Sequence, residues 1–345
     1  MLLEVDDLSV EFDTPDGLVR AVRQVSFQVD AGQTLGIVGE SGSGKSVSTQ
    51  AIVGLARGAQ VGGRCLFDGR DLLTMSNAQL RAVRGAQIAM IFQDPLSSLH
   101  PYYRVGWQIS ELIRAHEKSG KAVARRRAVD LLRLVGIPQP ERRVDDFPHQ
   151  FSGGMRQRAM IAMAMALNPK LLIADEPTTA LDVTVQAQVL QVMTTLQREF
   201  GTAIIMITHD LGVIADVADD VRVMYAGRIV EAANLRDTFY AQHHPYTAGL
   251  LRSIPSVARA GQRLVPIPGQ PPSLITPPPG CSYHPRCPHT MPLCRTDVPP
   301  LGPVLGSSTH RSACWLPSDT SRLHDRHPDE PIRPAAAVTA DGPSR

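Results

Sequence analysis

The sequence predicts an α/β protein built on a parallel or mixed sheet, and three stretches carry that prediction. Thr34–Val38 is a short apolar run followed at once by GESGSGKS, Gly39 to Ser46. Leu171–Asp175 is a second apolar run that ends in two adjacent carboxylates, Asp175 and Glu176. Between that run and a third, Ala203–Thr208, the segment Val183–Phe200 has helical spacing. Strand, helix, strand at this separation is a βαβ unit and implies a parallel or mixed sheet.

The elements follow in order. Residues 2–12 alternate apolar and polar through Leu3, Val5, Leu8, Val10 and Phe12, the pattern of a half-buried strand. Ala21–Val29 fits a second strand, and the continuous apolar Thr34–Val38 fits a strand buried on both faces. A helix is expected after Lys45 and a strand at Gln87–Phe92. From Val105 to about Leu167 the pattern is helical, with breaks at Gly136–Pro140 and at Pro148, so an inserted α-helical subdomain is expected at about 96–160. The first domain spans 1–235 on this reading. Beyond it the composition changes, with 15 of the 28 prolines lying between Pro255 and Pro317. Proline at that density excludes long helices and central strands. A Pro/Cys-rich extension is therefore expected at 236–317, and a disordered polar tail at 318–345.

Composition narrows the functional classes. With 345 residues the chain exceeds one small core, and its 43% hydrophobic and 20% charged content is that of a water-soluble globular protein. A net charge of +2 gives no electrostatic case for nucleic acid, and Arg125–Arg127 reads as a solvated helix face. The N-terminus MLLEVDDLSVEF lacks the basic start of a signal peptide, and the longest apolar run, Ala159–Leu167, is far short of the ~18 residues that suggest a membrane span. A cytoplasmic protein is expected.

GESGSGKS fits the phosphate-binding loop G-x-x-x-x-G-K-[ST]. Gly39, Gly42 and Gly44 let backbone N–H groups close on phosphate oxygens, with Ser41 and Ser43 between them, and the following helix points its positive end at the anion. Lys45 reaches the β- and γ-phosphates, and the Ser46 hydroxyl suits Mg²⁺. About 130 residues downstream, Asp175 is placed to hold the Mg²⁺ shell and Glu176 to polarise an attacking water. In FSGGMRQRAM, residues Ser152, Gly153 and Gly154 precede a helix and form a second anion-binding N-terminus. One chain has little use for two such sites, whereas two chains face to face could each close the other's loop.

Here the sequence resembles the ATP-binding subunits of ABC transporters. Ser152–Arg158 looks like the family's signature motif, with Met155 where many members carry Gln. By the same resemblance, Gln93 in FQDP is the Q-loop glutamine that senses Mg²⁺ and the attacking water. Ala180-Leu181-Asp182 is the D-loop, and His209 in ITHD is the switch histidine at the γ-phosphate. Phe12 is similar in position to the aromatic that stacks on adenine, though further upstream than usual. The resemblance implies Glu176, His209, Lys45 and Gln93 as catalytic residues, ATP and Mg²⁺ as ligands, and a head-to-tail pair of such chains. DEPTTALDVTVQAQVL, ITHDLGVIADVADDVRVMYAGRIVE and HHPYTAGLL are similar to the dipeptide/oligopeptide importer subfamily, which also contains nickel importers. That likeness implies a sister ATP-binding subunit, two permease subunits, an extracytoplasmic substrate-binding protein and a peripheral position on the inner face of the membrane. A peptide cargo is expected, with nickel or another small solute as the alternative. A soluble, non-transport ATPase of the superfamily is the reading from a different class.

Cys281, Cys287, Cys294 and Cys314 are spaced C-x5-C-x6-C-x19-C. In a reducing compartment such a cluster argues for metal rather than disulfides. Neither short gap fits a zinc knuckle, and Cys287-Pro288 echoes ferredoxin loops, so a 4Fe–4S cluster is expected, with Zn²⁺ or free thiols as alternatives. His284, His289 and His310 are spare neighbours, and Cys65 is expected to be an inert core residue.

Overall fold

The computed structural model describes residues 1–93, 98–179, 181–253 and 266–317. Two sheets divide the work. The first has four strands in the order β2-β1-β4-β5, with β1 at Leu3–Thr14, β2 at Gly17–Val29, β4 at Ala59–Phe67 and β5 at Arg70–Asp71. All its pairings are antiparallel. Along β1 the buried residues run Leu3, Val5, then Leu8 and Val10, a step of three between Val5 and Leu8. A register shift at Asp7, whose φ is 47°, absorbs the extra residue and keeps both halves facing the same core.

The second sheet has eight strands, ordered β11-β12-β10-β9-β3-β8-β7-β6. Its centre is parallel: β3 (Thr34–Val38) lies between β8 (Ala203–Thr208) and β9 (Asp220–Tyr225), β7 (Leu171–Asp175) follows β8, and β6 (Ile88–Ile91) closes one side. Strands β3, β7 and β8 are buried at every position, which is why they read as unbroken apolar runs. Leu171, Ile173, Ile205 and Ile207 face the core shared with the antiparallel sheet, while Leu172, Ile204 and Met206 face the core shared with the helices.

Helix α1 (Lys45–Ile52) leaves β3, and α2 (Asn77–Val83) starts in a capping box of Ser76 and Gln79. The helical region comprises α3 (Val105–His116), α4 (Lys121–Leu134), the single turn α5 (Pro140–Arg143) and α6 (Gly153–Ala164). The sequence expectation of one helical run to Gly136 misses the break between α3 and α4. There Gly120 is extended, at φ −68° and ψ 151°, and begins a new helix. The basic run lies on α4, where Arg125 pairs with Asp145 and Arg127 with Glu117, while Arg126 faces solvent.

Helix α7 (Val183–Phe200) starts at Asp182, whose carboxylate accepts from the Val185 amide, and ends at Gly201 in the left-handed region. Its buried Val189, Leu190, Met193 and Leu196 fix it on the sheet, each contributing about 1.5–3 kcal/mol by burial. Then come α8 (Leu211–Val217), β10 (Arg228–Asn234), α9 (Leu235–Tyr240) and α10 (Pro245–Arg252).

From residue 266 the chain runs in coil and single turns, as its prolines require. It returns to the sheet as β11 (Gly302–Pro303) and β12 (Arg311–Ser312), with Glu231 of β10 opposite Ser312. Pro303 sits on the outermost strand, where no ladder donor is needed. The extension expected as an appendage thus completes the sheet of the core. Residues 318–345, expected to be disordered, lie outside the described residues, as do Asp94 and Pro95 of FQDP and Ala180.

Candidate functional site

The loop from Gly39 to Gly44 turns from the end of β3 into α1. Two of its glycines are there because nothing larger fits. A Cβ on Gly39 would stand 2.2 Å from the Met224 carbonyl oxygen, and one on Gly44 would stand 2.3 Å from that of Ala21. Ser41 is exposed, and the Ser43 hydroxyl is buried with no hydrogen-bond partner among the described residues. Lys45 is 5% exposed and folds back over the loop, donating to the carbonyls of Gly39 at 2.7 Å and Glu40 at 2.9 Å. Burial pushes its ammonium pKa down, against the upward pull of Glu176, Asp175 and Glu40.

Ser46 donates to Asp175 at 2.7 Å. Asp175 closes strand β7 almost wholly buried, and that burial raises its carboxyl pKa, with the Ser46 bond acting the other way. One residue on, Glu176 adopts φ 49°, which turns its side chain off the strand. Its Oε2 accepts from Gln93 Nε2 and from the Thr179 hydroxyl, both at 2.9 Å, and its Oε1 meets His209 Nδ1 at 3.2 Å. Burial works to raise its pKa, but the bonds from His209 and Thr179 and the charges of His209 and Lys45 leave it below the usual carboxylate value. Five side chains from four places in the sequence therefore gather at the carboxyl ends of β3, β6, β7 and β8 as two hydrogen-bonded sets side by side, Ser46 with Asp175, and Gln93 and His209 with Glu176. Sites of this kind form at the carboxyl ends of strands.

The remaining predicted residues lie elsewhere. Ser152 caps α6, accepting from the Met155 amide, and Ser152 and Gly153 are exposed. A Cβ on Gly154 would stand 2.5 Å from Val185, so the glycine lets α6 approach α7. Among the described residues no hydrogen bond joins Ser152, Gly153 or Gly154 to the Gly39–Ser46 loop of the same chain. Asp182 serves as the cap of α7, and Phe12 lies in β1 opposite Val19 and Ala59, half-buried against the core of the antiparallel sheet.

The four cysteines of the extension do converge. Cys281, Cys287, Cys294 and Cys314 line one void with His244, Tyr283, His284, His289 and Trp315. The void holds only about 10 Å³ and is lined by apolar surface, room for at most a single water. Burial pushes the thiols of Cys281, Cys287 and Cys314 up, the last to about 12. Among the described residues no group of three or more His, Cys, Asp or Glu side chains is arranged to hold a metal ion. The expected 4Fe–4S cluster, and the Zn²⁺ alternative, are therefore corrected: the structure gives a packed cluster of thiols.

Sequence reasoning missed two further features. Thr179 holds Glu176 and could have been suspected from its place in DEPTT. Glu40, inside the loop, is gripped by Arg286 from the extension at 2.6 and 3.0 Å, a contact across 246 residues that no local pattern signals.

This loop, sheet and carboxylate pair define a nucleotide-binding cassette. The family model for ABC transporters matches residues 22–179, and that for the oligopeptide/dipeptide transporter C-terminal region matches 230–294. The oligopeptide transport ATP-binding protein OppD of Bacillus subtilis is 53% identical over 344 residues, 98% of this chain and 93% of that protein. The dipeptide transport ATP-binding protein DppD of Escherichia coli is 48% identical over 320 residues, 92% and 97% of the two chains. The dimeric ATP-binding cassette MJ0796, bound to ADP and Pi, superposes with a TM-score of 0.62 over 68% of this chain and 99% of its own. At 24% identity that match speaks for the fold. The cbiO1 protein of Clostridium perfringens, part of the cbiONQ transporter complex, matches with a TM-score of 0.59 at 29% identity over 69% of this chain and 90% of its own. The chain belongs to the ATP-binding proteins of ABC transporters, in the branch that carries the oligopeptide/dipeptide C-terminal region. It is an ATPase of the transport-coupled kind.

Proposed function

We propose that this chain is the ATP-hydrolysing subunit of a di- or oligopeptide importer, attached to the cytoplasmic face of the membrane. It would bind two permease subunits, pair with a sister ATP-binding subunit, and act on cargo delivered by an extracytoplasmic binding protein. The peptide reading is supported by relatives named for peptide transport that align over nearly the whole chain. Among the described residues no helix is long and apolar enough to cross a membrane, so the path for the cargo has to come from other chains. The exposed Ser152–Gly153 end of α6 supports pairing through the phosphates of a facing chain's nucleotide.

The observation that carries the catalytic reading is the position of Glu176, held below its usual pKa and bonded to Gln93 and His209. An ionised carboxylate there accepts a proton from water. As water attacks the γ-phosphorus, the new P–O bond forms, the bond to the β-phosphate oxygen breaks, the proton passes to Glu176, and ADP and phosphate remain. Lys45 exchanges its two backbone carbonyls for phosphate oxygens, and the backbone amides of Gly39–Ser46 cradle the rest. His209 stabilises the transferred phosphoryl group, and Gln93 orients the water. Ser46 and Asp175, already in hydrogen-bond contact, fit Mg²⁺, which when bound neutralises charge on the β- and γ-oxygens. Phe12 is the adenine neighbour in this reading, and Asp182 faces the partner chain.

Glu176→Gln keeps the hydrogen-bonding shape and removes the base. ATP binding is expected to stay, and turnover to fall by roughly 10²–10⁴-fold. The measurement is phosphate release by the assembled complex with the sister subunit's own carboxylate also replaced. Turnover near the unmodified rate would refute the role of Glu176.

A further inference from the structure

The ATP loop is gripped from outside the ATPase core. Arg286, in the single turn His284–Arg286 of the cysteine-rich extension, donates from Nη1 and Nη2 to both carboxylate oxygens of Glu40. The guanidinium is 5% exposed, its Nε donates to the Pro268 carbonyl at 2.8 Å, and it lies 5.8 Å from the centre of the Tyr225 ring. The Glu40 amide donates to the Tyr246 hydroxyl at 2.8 Å, so a second residue beyond β10 holds the same loop residue. Tyr225, Tyr246 and Tyr283 pack against one another around this contact, with centroids 4.6 to 5.3 Å apart. Glu40 is near enough to Lys45 to pull on its protonation, and Lys45 bonds the Glu40 carbonyl.

We propose that Arg286 is a positioning residue for ATP: by neutralising and fixing Glu40 it keeps a carboxylate from opposing the phosphates, and so links the packing of the extension to nucleotide affinity. The proposal rests on ATP occupying the Gly39–Ser46 loop, as argued above. With a planar fork bonded to both oxygens, the pair presents no net charge to the incoming nucleotide. Without Arg286 the carboxylate is unpaired beside a polyphosphate site, in a half-buried position where screening is weak. Linkage is reciprocal: whatever loosens the turn at Arg286 weakens ATP binding, and bound ATP steadies the extension.

The test is ATP affinity of the full-length chain, read with a fluorescent ATP analogue, for Arg286→Ala, Arg286→Lys, Glu40→Gln and Arg286→Ala/Glu40→Gln. Arg286→Ala is expected to weaken binding about tenfold, equivalent to about 1.4 kcal/mol. Arg286→Lys restores the charge without the fork and is expected to fall between. Glu40→Gln is expected to bind at least as tightly as the unmodified chain, and to return Arg286→Ala to within about twofold of it. A purely structural Arg286 would lower the melting temperature without this rescue. Unchanged affinity in Arg286→Ala, or no recovery in the double variant, overturns the proposal. Should Arg286→Ala not fold, weakened binding by Glu40→Gln alone overturns it. Lys45→Ala in the same assay keeps the two readings apart: if it binds the analogue normally, the ATP assignment itself has failed.

Discussion

His244 makes the junction of core and extension sensitive to acid. It is 1% exposed, with Glu231 of β10, its neighbour His243, the Tyr283 ring at 5.8 Å and the cysteine void around it. Burial carries its pKa from 6.5 to about 4, with Glu231 pulling the other way and His243 adding to the fall. The neutral ring is in use, because Nδ1 accepts from the Tyr246 amide at 3.1 Å and caps α10. The unfolded chain therefore binds a proton that the folded chain refuses between these two values, and stability falls as the pH drops through that window. At about 1.4 kcal/mol per unit, the loss is on the order of 3 kcal/mol by pH 4 and about 2 kcal/mol by pH 5. Burial works to raise the pKa of Glu231, but the bonds from His310, Thr247 and His243 leave it below its usual value, so its own contribution is lost at lower pH. The assay is urea unfolding at about pH 7 and about pH 5, for the natural chain and for His244→Asn, which keeps an acceptor at the cap position. The variant is expected to lose about 2 kcal/mol less between the two conditions. Equal losses in the two proteins would refute the reasoning.

Other outcomes follow from the same geometry. Gly44→Ala forces a Cβ to 2.3 Å from the Ala21 carbonyl at φ 97°, so the loop must deform at a cost of about 2–3 kcal/mol, read as a lowered melting temperature together with lost ATP-analogue binding. Cys65 is fully buried with its thiol raised to about 12, so iodoacetamide at near-neutral pH is expected to leave it unmodified in the native chain. Mass spectrometry of the digested protein reads this, and alkylation at the rate of a free thiol counts against it.

What the sequence made legible was local chemistry. Gly39–Ser46, Asp175 and Glu176 could be read because each stretch carries its own geometric demand, a tight turn or a strand end. The fully buried strands β3, β7 and β8 showed as apolar runs for the same reason. The antiparallel sheet was only partly visible: β1 and β2 alternate, but most of β4 is exposed and carries Gly62 and Gly63. Strands β9 and β10 are where tertiary pairing decides, since their edges are satisfied by β3 and by the distant β12. Arg286 and Glu40 could not have been matched, because 246 residues separate them and their contact exists only after the extension folds back. The cysteines misled in an instructive way. Their convergence was correct, but spacing cannot report the volume between four side chains, and that volume is small.

The last described strand has a bearing on how the protein is made. β12 supplies the outer partner of β10, so Arg311 and Ser312 finish a sheet whose central strand β3 was synthesised nearly 280 residues earlier. While the chain emerges from the ribosome, β10 presents an open row of amides and carbonyls, the kind of edge that recruits strands from other molecules. A message cut short before residue 311 therefore yields more than a protein lacking a tail. It yields an ATPase core with an unsealed margin, a substrate for proteases and aggregation.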